Sequence, residues 1–378
     1  MAEPFKNFIN PALVRSAAAH LARAWPDFDA KRFERLANAG LQALELKARA
    51  MQVGAALEAT LPADFMAAAN VIEAALAPAP AGDDAAVPAP VADDGLRGWV
   101  LWPVGEFVAR RGLAHPDRAL ATLHALTQRF TAEFALRPFI VAHPALAFAA
   151  LARWCSDESP HVRRLASEGS RPRLPWGLRL QSLVADPTPT LPLLRALQDD
   201  PSAYVRRSVA NHLNDIAKDH PALVSAWVEE HLAGAAPERR ALLRHASRTL
   251  IKQGDVRMLR AWGLGAPLRG SAALQLAPGA LRVGESLTLS LTLVSRAARA
   301  QVLAIDYVVH HVKAGGHTTP KVFKGWQLSL PARGELVLVK RHSMREITTR
   351  RYHPGRHGVA VQINGRTVAQ ASFVLESA

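Results

Sequence analysis

The sequence predicts an α-helical repeat region followed by an antiparallel β-sandwich. Two patterns support this fold: an eight-residue motif recurs in the middle of the chain, and apolar residues alternate with polar ones after about residue 270. The length agrees, because 378 residues exceed one ordinary domain. An apolar content of 49% and a charged content of 21% are typical of globular proteins, which excludes wholesale disorder.

The N-terminal residues 1–76 are predicted to be helical. Between Asp29 and Met51, bulky apolar residues recur among charged ones with an imperfect helical period. Residues 77–95 consist mainly of Ala, Pro, Asp and Gly and carry almost no bulky side chains. Such a segment buries too little apolar surface to offset its ordering entropy, so we expect a flexible loop or linker there.

The repeated motif indicates an α-solenoid over residues 96–266. The segment Asp157–Arg164 (DESPHVRR) aligns with Asp200–Arg207 (DPSAYVRR) at an offset of 43 residues, with five of eight positions identical. A weaker third copy, Arg239–His245, follows Arg206–His212 by 33 residues. Helical repeats of about 40–47 residues are typical of HEAT and armadillo proteins, so we predict HEAT-like repeats.

Residues 270–378 are predicted to form an Ig-like β-sandwich. The run SLTLSLTLV alternates with period two, and Asn364-Gly365 between two later runs signals a type I′ hairpin. Several short strands in about 110 residues fit a sandwich of Ig size. The further strand-like runs are 301–309, 321–330, 335–341, 358–363 and 366–375. Cys155 is the one cysteine, which excludes an internal disulfide and a multi-cysteine metal site.

The net charge of +14 suggests a polyanionic partner. The excess is uneven: residues 1–100 carry −3, residues 101–269 carry +8 and residues 270–378 carry +9. The alternative is a solvated basic surface in an Arg-rich proteome. The chain has neither a run of about 18 uncharged apolar residues nor a visible secretory signal. We therefore expect a cytoplasmic protein that does not enter a membrane.

Three carboxylates stand where a helical scaffold does not obviously need them. Glu133 precedes Arg137 by four residues, Glu168 follows Arg164 by four, and Asp215 shares a helix face with Asn211 and Arg207. Each pair alone is explained by an ordinary ion pair on a helix surface. Their setting beside the turn Arg171-Pro-Arg-Leu-Pro-Trp176 favours a surface that handles nucleic acid or a cationic base, although a lone Trp is usually part of a core.

Signals for metal or cofactor binding are weak. The fifteen histidines include His310-His311 and the pair His353 and His357, but no ligand-spaced cluster and no Gly-rich phosphate loop occurs. We therefore expect no metal and no cofactor.

Five segments spread over most of residues 1–262 match a known family: MAEPFKNFINPALV, LELKARA, FTAEFALRPF, SDESPHVRRLASEGSRPRLPW and DPSAYVRRSVANHLNDIAKDHP. Through them, the helical part resembles the AlkC-type DNA glycosylases of the AlkC/AlkD alkylation-repair superfamily. The resemblance implies HEAT-like repeats with a C-terminal Ig-like domain, and excision of bases such as N3-methyladenine and N3-methylcytosine without conventional base flipping. The family's active-site pattern falls on Glu133, Glu168, Trp176 and Asp215.

This resemblance implies a base-excision enzyme whose partner is double-stranded DNA containing alkylated bases, acting as a monomer. We expect Glu168 to be the leading carboxylate, supported by Glu133 and Asp215, with Trp176 offering an electron-rich face. The residues expected to contact DNA are Arg164, Arg171, Arg173, Arg207, Asn211, Arg248, Arg345, Arg350 and Arg351. The last three lie in a basic loop, Ser343–Pro354, with which the β domain is expected to close over DNA.

An alternative hypothesis places the chain in another class of protein. In it the chain is a HEAT-repeat scaffold that binds DNA or an acidic protein without chemistry. Carboxylates beside arginines argue against it, because they would repel a phosphate ligand.

Overall fold

A computed structural model describes residues 4–79, 93–347 and 350–376. It confirms the predicted fold class, a helical region followed by an Ig-like domain with antiparallel sheets. Most of the predicted loop at 77–95, namely residues 80–92, lies outside the described residues.

The helical region consists of short α-helices, several of which begin at a proline. Pro144 and Pro160, for example, each stand at a first helical position, where the missing N–H costs nothing. Within the described ranges, no helix is both long enough and apolar enough to cross a bilayer. The helices are α1 Pro11–Ala24, α2 Ala30–Asn38, α3 Leu46–Glu58, α4 Phe65–Ala74, α5 Leu101–Arg111, α6 Pro116–Thr127, α7 Glu133–Ala142, α8 Pro144–Trp154, α9 Pro160–Gly169, α10 Gln181–Ala185, α11 Leu191–Leu197, α12 Ala203–Ile216, α13 Pro221–Leu232, α14 Pro237–Ala246, α15 Arg248–Gln253 and α16 Val256–Ala261.

The repeated motif makes the same contacts twice. Arg163 donates from Nη1 to the carbonyl oxygens of Asp157 (2.8 Å) and Glu158 (2.9 Å), at the start of its own motif. Arg206 likewise donates from Nη1 to the carbonyl oxygens of Asp200 and Pro201. The identical Arg in each copy therefore closes the turn that precedes its helix.

The first Asp of each copy holds the following turn. Asp157 accepts the backbone N–H of Ser159, and Asp200 accepts that of Ser202, both at 2.8 Å. Asp200 also accepts two bonds from the Arg163 guanidinium of the preceding copy, at 2.6 and 3.1 Å. The sequence repeat is thus a structural repeat, and its Asp joins one copy to the next.

The C-terminal strands form two sheets that enclose an apolar core of alternate residues. One sheet has the order β1-β3-β6, and the other has the order β2-β8-β7-β4-β5. The short pair β2–β8 is parallel, whereas the other paired strands are antiparallel. The strands are β1 Gly270–Ala277, β2 Ala280–Arg282, β3 Ser286–Ser295, β4 Gln301–Val312, β5 Thr318–Leu330, β6 Glu335–Ser343, β7 Gly355–Ile363 and β8 Arg366–Glu376.

The predicted hairpin turn is confirmed between β7 and β8. Asn364 and Gly365 both adopt positive φ, +48° and +75°, as a type I′ turn requires. The Asn364 side chain also accepts the N–H of Ala304 at 2.9 Å, which ties the turn to the start of β4.

The chain divides into two compact units. The first comprises residues up to Asp219 together with Ala236–Ala246, and it contains α1–α12 and α14. The second comprises His220–Ala235 and the residues from Ser247 onward, so it contains α13, α15, α16 and the β-sandwich.

Candidate functional site

The three carboxylates singled out in the sequence lie together in the first unit. Glu133 begins α7, Glu168 stands in the last turn of α9, and Asp215 stands in the last turn of α12. These residues are 8%, 6% and 1% exposed. Helix α9 packs against both α7 and α12, which brings the three side chains into one cluster.

Arg164 joins the first two carboxylates. It donates from Nη1 to Glu133 Oε2 at 2.6 Å, and its Nη2 lies 3.5 Å from Glu168 Oε1. The guanidinium also lies 5.0 Å from the ring centroid of Tyr204, close enough for a cation–π contact. The partner of Glu133 is therefore Arg164 of α9, and the spacing to Arg137 did not indicate it.

Arg171 joins the second carboxylate to the third. It donates from Nη1 to Glu168 Oε1 at 2.6 Å and from Nε to Asp215 Oδ2 at 2.8 Å. The other oxygen of Glu168 accepts from Ser208 Oγ at 2.6 Å, and the other oxygen of Asp215 accepts from Lys218 Nζ at 2.8 Å. Negative and positive groups thus alternate along the cluster.

The surroundings separate the two glutamates in pKa. Burial raises the pKa of Glu133 above its ordinary value, and Arg164 only partly offsets this. Burial also acts on Glu168, but the charges of Arg164 and Arg171 outweigh it and hold the pKa of Glu168 below its ordinary value. Glu168 is therefore ionised at neutral pH, whereas Glu133 takes up a proton more readily.

Trp176 projects from a strained turn beside the cluster. Its side chain is 63% exposed, and its φ of +63° is in the left-handed region that a bulky residue rarely adopts. Arg173, in the same turn, forms a two-bond ion pair with Asp219, at 2.7 and 2.6 Å. Backbone strain of this kind persists where the surrounding structure enforces it, and it is common at functional sites.

The residues expected to contact DNA have different environments within the first unit. Arg164 and Arg171 are bound to carboxylates and largely buried, and Arg173 is paired with Asp219. Arg207 is exposed on α12, and Asn211 shares a hydrogen bond with His245.

In the second unit, Arg248 begins α15 and is exposed, as are Arg345 and Arg351. Arg350 is half-buried, with its guanidinium 5.5 Å from the Phe323 ring centroid.

The sequence did not single out Ser208, Lys218 or Tyr204, which complete the cluster. Ser208 and Tyr204 lie on α12. The motif at the start of α12 is the copy that follows the motif of α9, the helix that carries Glu168. In the described ranges, no group of three or more His, Cys, Asp or Glu side chains has a metal-binding arrangement. Burial raises the pKa of the Cys155 thiol to about 11, so this thiol is not activated at neutral pH.

Comparison with known proteins identifies the family. A family model described as a DNA alkylation repair enzyme matches residues 130–250, and a C-terminal Ig-like domain model of YhaZ matches residues 270–377. The uncharacterized protein YhaZ of Bacillus subtilis is 35% identical over 374 residues, covering 97% of this chain and 98% of its own length.

A solved structure agrees over the whole length. It is the alkylpurine DNA glycosylase AlkC of Pseudomonas fluorescens, bound to DNA containing an abasic site analogue. It is 37% identical, covers 99% of this chain and 100% of its own, and superposes with a TM-score of 0.90. The chain belongs to the AlkC family of DNA glycosylases. The family resemblance inferred from the helical segments is thereby confirmed, and the carboxylate cluster lies within residues 130–250, which match the DNA alkylation repair model.

Proposed function

We propose that this protein is a base-excision repair enzyme that hydrolyses the N-glycosidic bond of cationic N3-alkylated bases, such as 3-methyladenine and 3-methylcytosine, in double-stranded DNA. The observation that carries the proposal is the alternating cluster of three buried carboxylates and two arginines beside the exposed Trp176. Binding without conventional base flipping, as the family resemblance implies, is part of the same proposal.

The charge balance of the cluster favours a glycosylase over a scaffold. A surface that only bound phosphate would leave its guanidinium groups free, but Arg164 and Arg171 already lie against carboxylates. Both arginines are therefore proposed to orient the carboxylates rather than to contact phosphates. Exposed arginines, of which Arg207 is one, are better suited to phosphate contacts.

The chemistry needs a negative site rather than a strong acid. An N3-alkylated base is cationic and leaves as a neutral molecule, while positive charge develops on the sugar as in glycoside hydrolysis. Glu168, held ionised by two arginines, is proposed to stabilise that charge. Glu133, whose pKa is raised by burial, is proposed to accept the proton of the attacking water. Water is the other reactant, so the proposed reaction uses no cofactor.

Asp215 and Trp176 are proposed to complete the site. Asp215 holds Arg171 in place and adds a third negative charge. Trp176 is proposed to present the face of its ring to the sugar or the cationic base, which is attracted to the electron-rich ring.

A base-release assay tests the proposal. The purified protein is incubated with matched duplexes containing N3-methyladenine, N3-methylcytosine or uracil, and with undamaged DNA. We expect release of the two cationic bases and retention of uracil, because the proposed mechanism assigns no residue to protonate the leaving base, and a neutral base leaves inefficiently without a proton. Binding of DNA with no release of a base from any substrate would instead support the alternative hypothesis of a non-catalytic scaffold.

A further inference from the structure

Arg137 is a fully buried cation near the carboxylate cluster that makes no ion pair among the described residues. It lies one turn after Glu133 in α7 and is 0% exposed. Burial, together with the charge of Arg171, lowers the pKa of Arg137 to about 10, so it remains charged at neutral pH. Its Nη2 is buried and has no hydrogen-bond partner within the described residues. An arginine in such a position is costly, which calls for a reason.

The two hydrogen bonds of Arg137 give that reason. Nη1 donates to the carbonyl oxygen of Gly169 at 2.8 Å, and Nε donates to the carbonyl oxygen of Leu178. Gly169 directly follows Glu168 at the end of α9, and Leu178 is two residues after Trp176. One planar guanidinium therefore joins the backbone beside Glu168 to the turn that carries Trp176.

The packing of the turn reinforces this link. A Cβ atom added to Gly177 would lie 3.3 Å from both Cδ and Nε of Arg137 and 3.0 Å from a methyl carbon of Leu174. The turn therefore lies directly on the arginine stem, and a glycine next to Trp176 is what allows this approach. Since Trp176 has a left-handed φ, its conformation needs such external support.

We propose that Arg137 is a positioning residue that fixes the Trp176 turn relative to Glu168 and thereby sets the rate of base excision without touching the DNA. The inference rests on the proposed glycosylase activity for its rate effect. The guanidinium fork is the essential feature, because Lys has the same charge but cannot hold two carbonyl oxygens in a fixed plane. Misplacement of a site group by about 1 Å can cost about 10²-fold in rate.

The test compares Arg137→Lys with a matched control, Arg49→Lys. Arg49 is another buried arginine that donates to backbone carbonyl oxygens, those of Lys6, Ile9, Gln42 and Leu44. We expect Arg137→Lys to lower single-turnover excision of N3-methyladenine by ~10-fold or more. We expect Arg49→Lys to lower the thermal unfolding temperature without changing that rate. Equal rates for wild type and Arg137→Lys, or an equal rate loss in both variants, would overturn the proposal.

A double-mutant cycle with Trp176→Ala separates positioning from general destabilisation. If Arg137 acts through the Trp176 turn, Arg137→Lys has little further effect on the rate once Trp176 is removed. Losses that multiply in the double variant would contradict the proposal.

A readout independent of activity covers failure of the proposed function. Acrylamide quenching that is attributable to Trp176, taken as the difference from a Trp176→Phe background, should change in Arg137→Lys and stay unchanged in Arg49→Lys. If the wild type releases no base, the function fails while this comparison still decides the positioning role. Unchanged quenching in Arg137→Lys would overturn it.

Discussion

Glu168 lies between two guanidinium groups and a hydroxyl, which hold its carboxylate in place. Replacement by Gln keeps the shape and removes the charge. We expect Glu168→Gln to retain the fold and DNA binding but to lower excision of N3-methyladenine ~10²-fold or more, equivalent to about 2.7 kcal/mol of lost transition-state stabilisation. Single-turnover kinetics provide the measurement.

A matched control is available in the same repeat. Glu158 is exposed, and it is the backbone carbonyl of this residue, rather than its carboxylate, that accepts from Arg163. Glu158→Gln should excise bases at the wild-type rate. An unchanged rate in Glu168→Gln would remove Glu168 from the mechanism.

We expect Glu133, as the proposed proton acceptor, to give the excision rate an acid limb. Because burial raises the pKa of Glu133, its carboxylate becomes protonated at a higher pH than an ordinary glutamate does as pH falls. A proton acceptor works only when ionised, so the rate should decrease as pH is lowered through that raised pKa. We expect Glu133→Gln to lower the rate and to flatten this limb in a pH–rate profile. A full acid limb in Glu133→Gln would assign it to another group.

At the scale of single residues, the sequence singled out three carboxylates that the structure places together, but it did not indicate their partners. Spacing suggested the pair Glu133 and Arg137, and the structure instead pairs Glu133 with Arg164. Helix spacing places two residues on one face but cannot say which neighbouring helix packs there. The strain at Trp176 was equally invisible, because φ depends on the contacts that hold the turn.

Three strands of the sandwich bring together buried histidines that lie far apart in the sequence. His311 of β4, His342 of β6 and His357 of β7 are 4%, 6% and 0% exposed. Both ring nitrogens of His311 lack a hydrogen-bond partner within the described residues. Burial lowers the pKa of His311 to about 3 and that of His342 to about 4, and it also lowers the pKa of His357. Nearby Arg350 lowers the first two further, and Lys313 adds to the effect on His311.

These strands should become less stable in acid. An unfolded histidine has a pKa of about 6.5, so below that pH the unfolded chain binds protons that the folded core excludes. Stability is therefore lost as pH falls from about 6.5 toward the folded pKa values. We expect His311→Phe to recover about 2 kcal/mol at pH 5, measured by hydrogen exchange of β4 and β7 in the full chain.

His310 supplies the comparison, because it is the adjacent residue of β4 and is only half-buried. His310→Phe should leave the acid sensitivity as it is. Equal protection gains in both variants would show that added aromatic surface, rather than removal of a buried imidazole, is responsible.

Element by element, local signals predicted more than long-range ones did. Asn364-Gly365 predicted its turn because the two residue types tolerate positive φ. The Asp157 motif recurs in the sequence and so predicted a repeat. The structure repeats as well, because the residues of the motif close their own turn. The parallel pairing of β2 with β8 was not predicted, since three residues carry no periodicity and their partner lies about ninety residues away.

For the molecule as a whole, the charge distribution predicts salt-dependent DNA binding to which the sandwich contributes. Residues 270–378 carry net +9, and Arg345 and Arg351 are exposed there. We expect the double change Arg345→Gln and Arg351→Gln to weaken binding to every duplex alike. The slope of log K against log salt should fall by about 0.9 for each phosphate that the variant no longer neutralises.

Arg350 is the internal comparison, since its guanidinium lies over aromatic rings. We expect Arg350→Gln to reduce the salt slope less than Arg345→Gln or Arg351→Gln does. A slope unchanged by the double variant would mean that the loop does not contact DNA, and the expected closure of the β domain over DNA would then lose its support.

The Asp that begins each motif makes the helical array modular. Asp157 accepts a hydrogen bond from His124 at 2.7 Å, and Asp200 accepts one from Arg163. Each Asp is therefore bound by a basic side chain from a helix that precedes its own motif. Deletion of residues 157–199, one repeat length, would place Asp200 where Asp157 stands, within reach of His124. We expect that shortened chain to keep a helical circular dichroism spectrum but to release no base, because the removed module carries Glu168. Loss of this one segment would therefore remove the proposed chemistry while the hydrogen bond that joins neighbouring helices can still form.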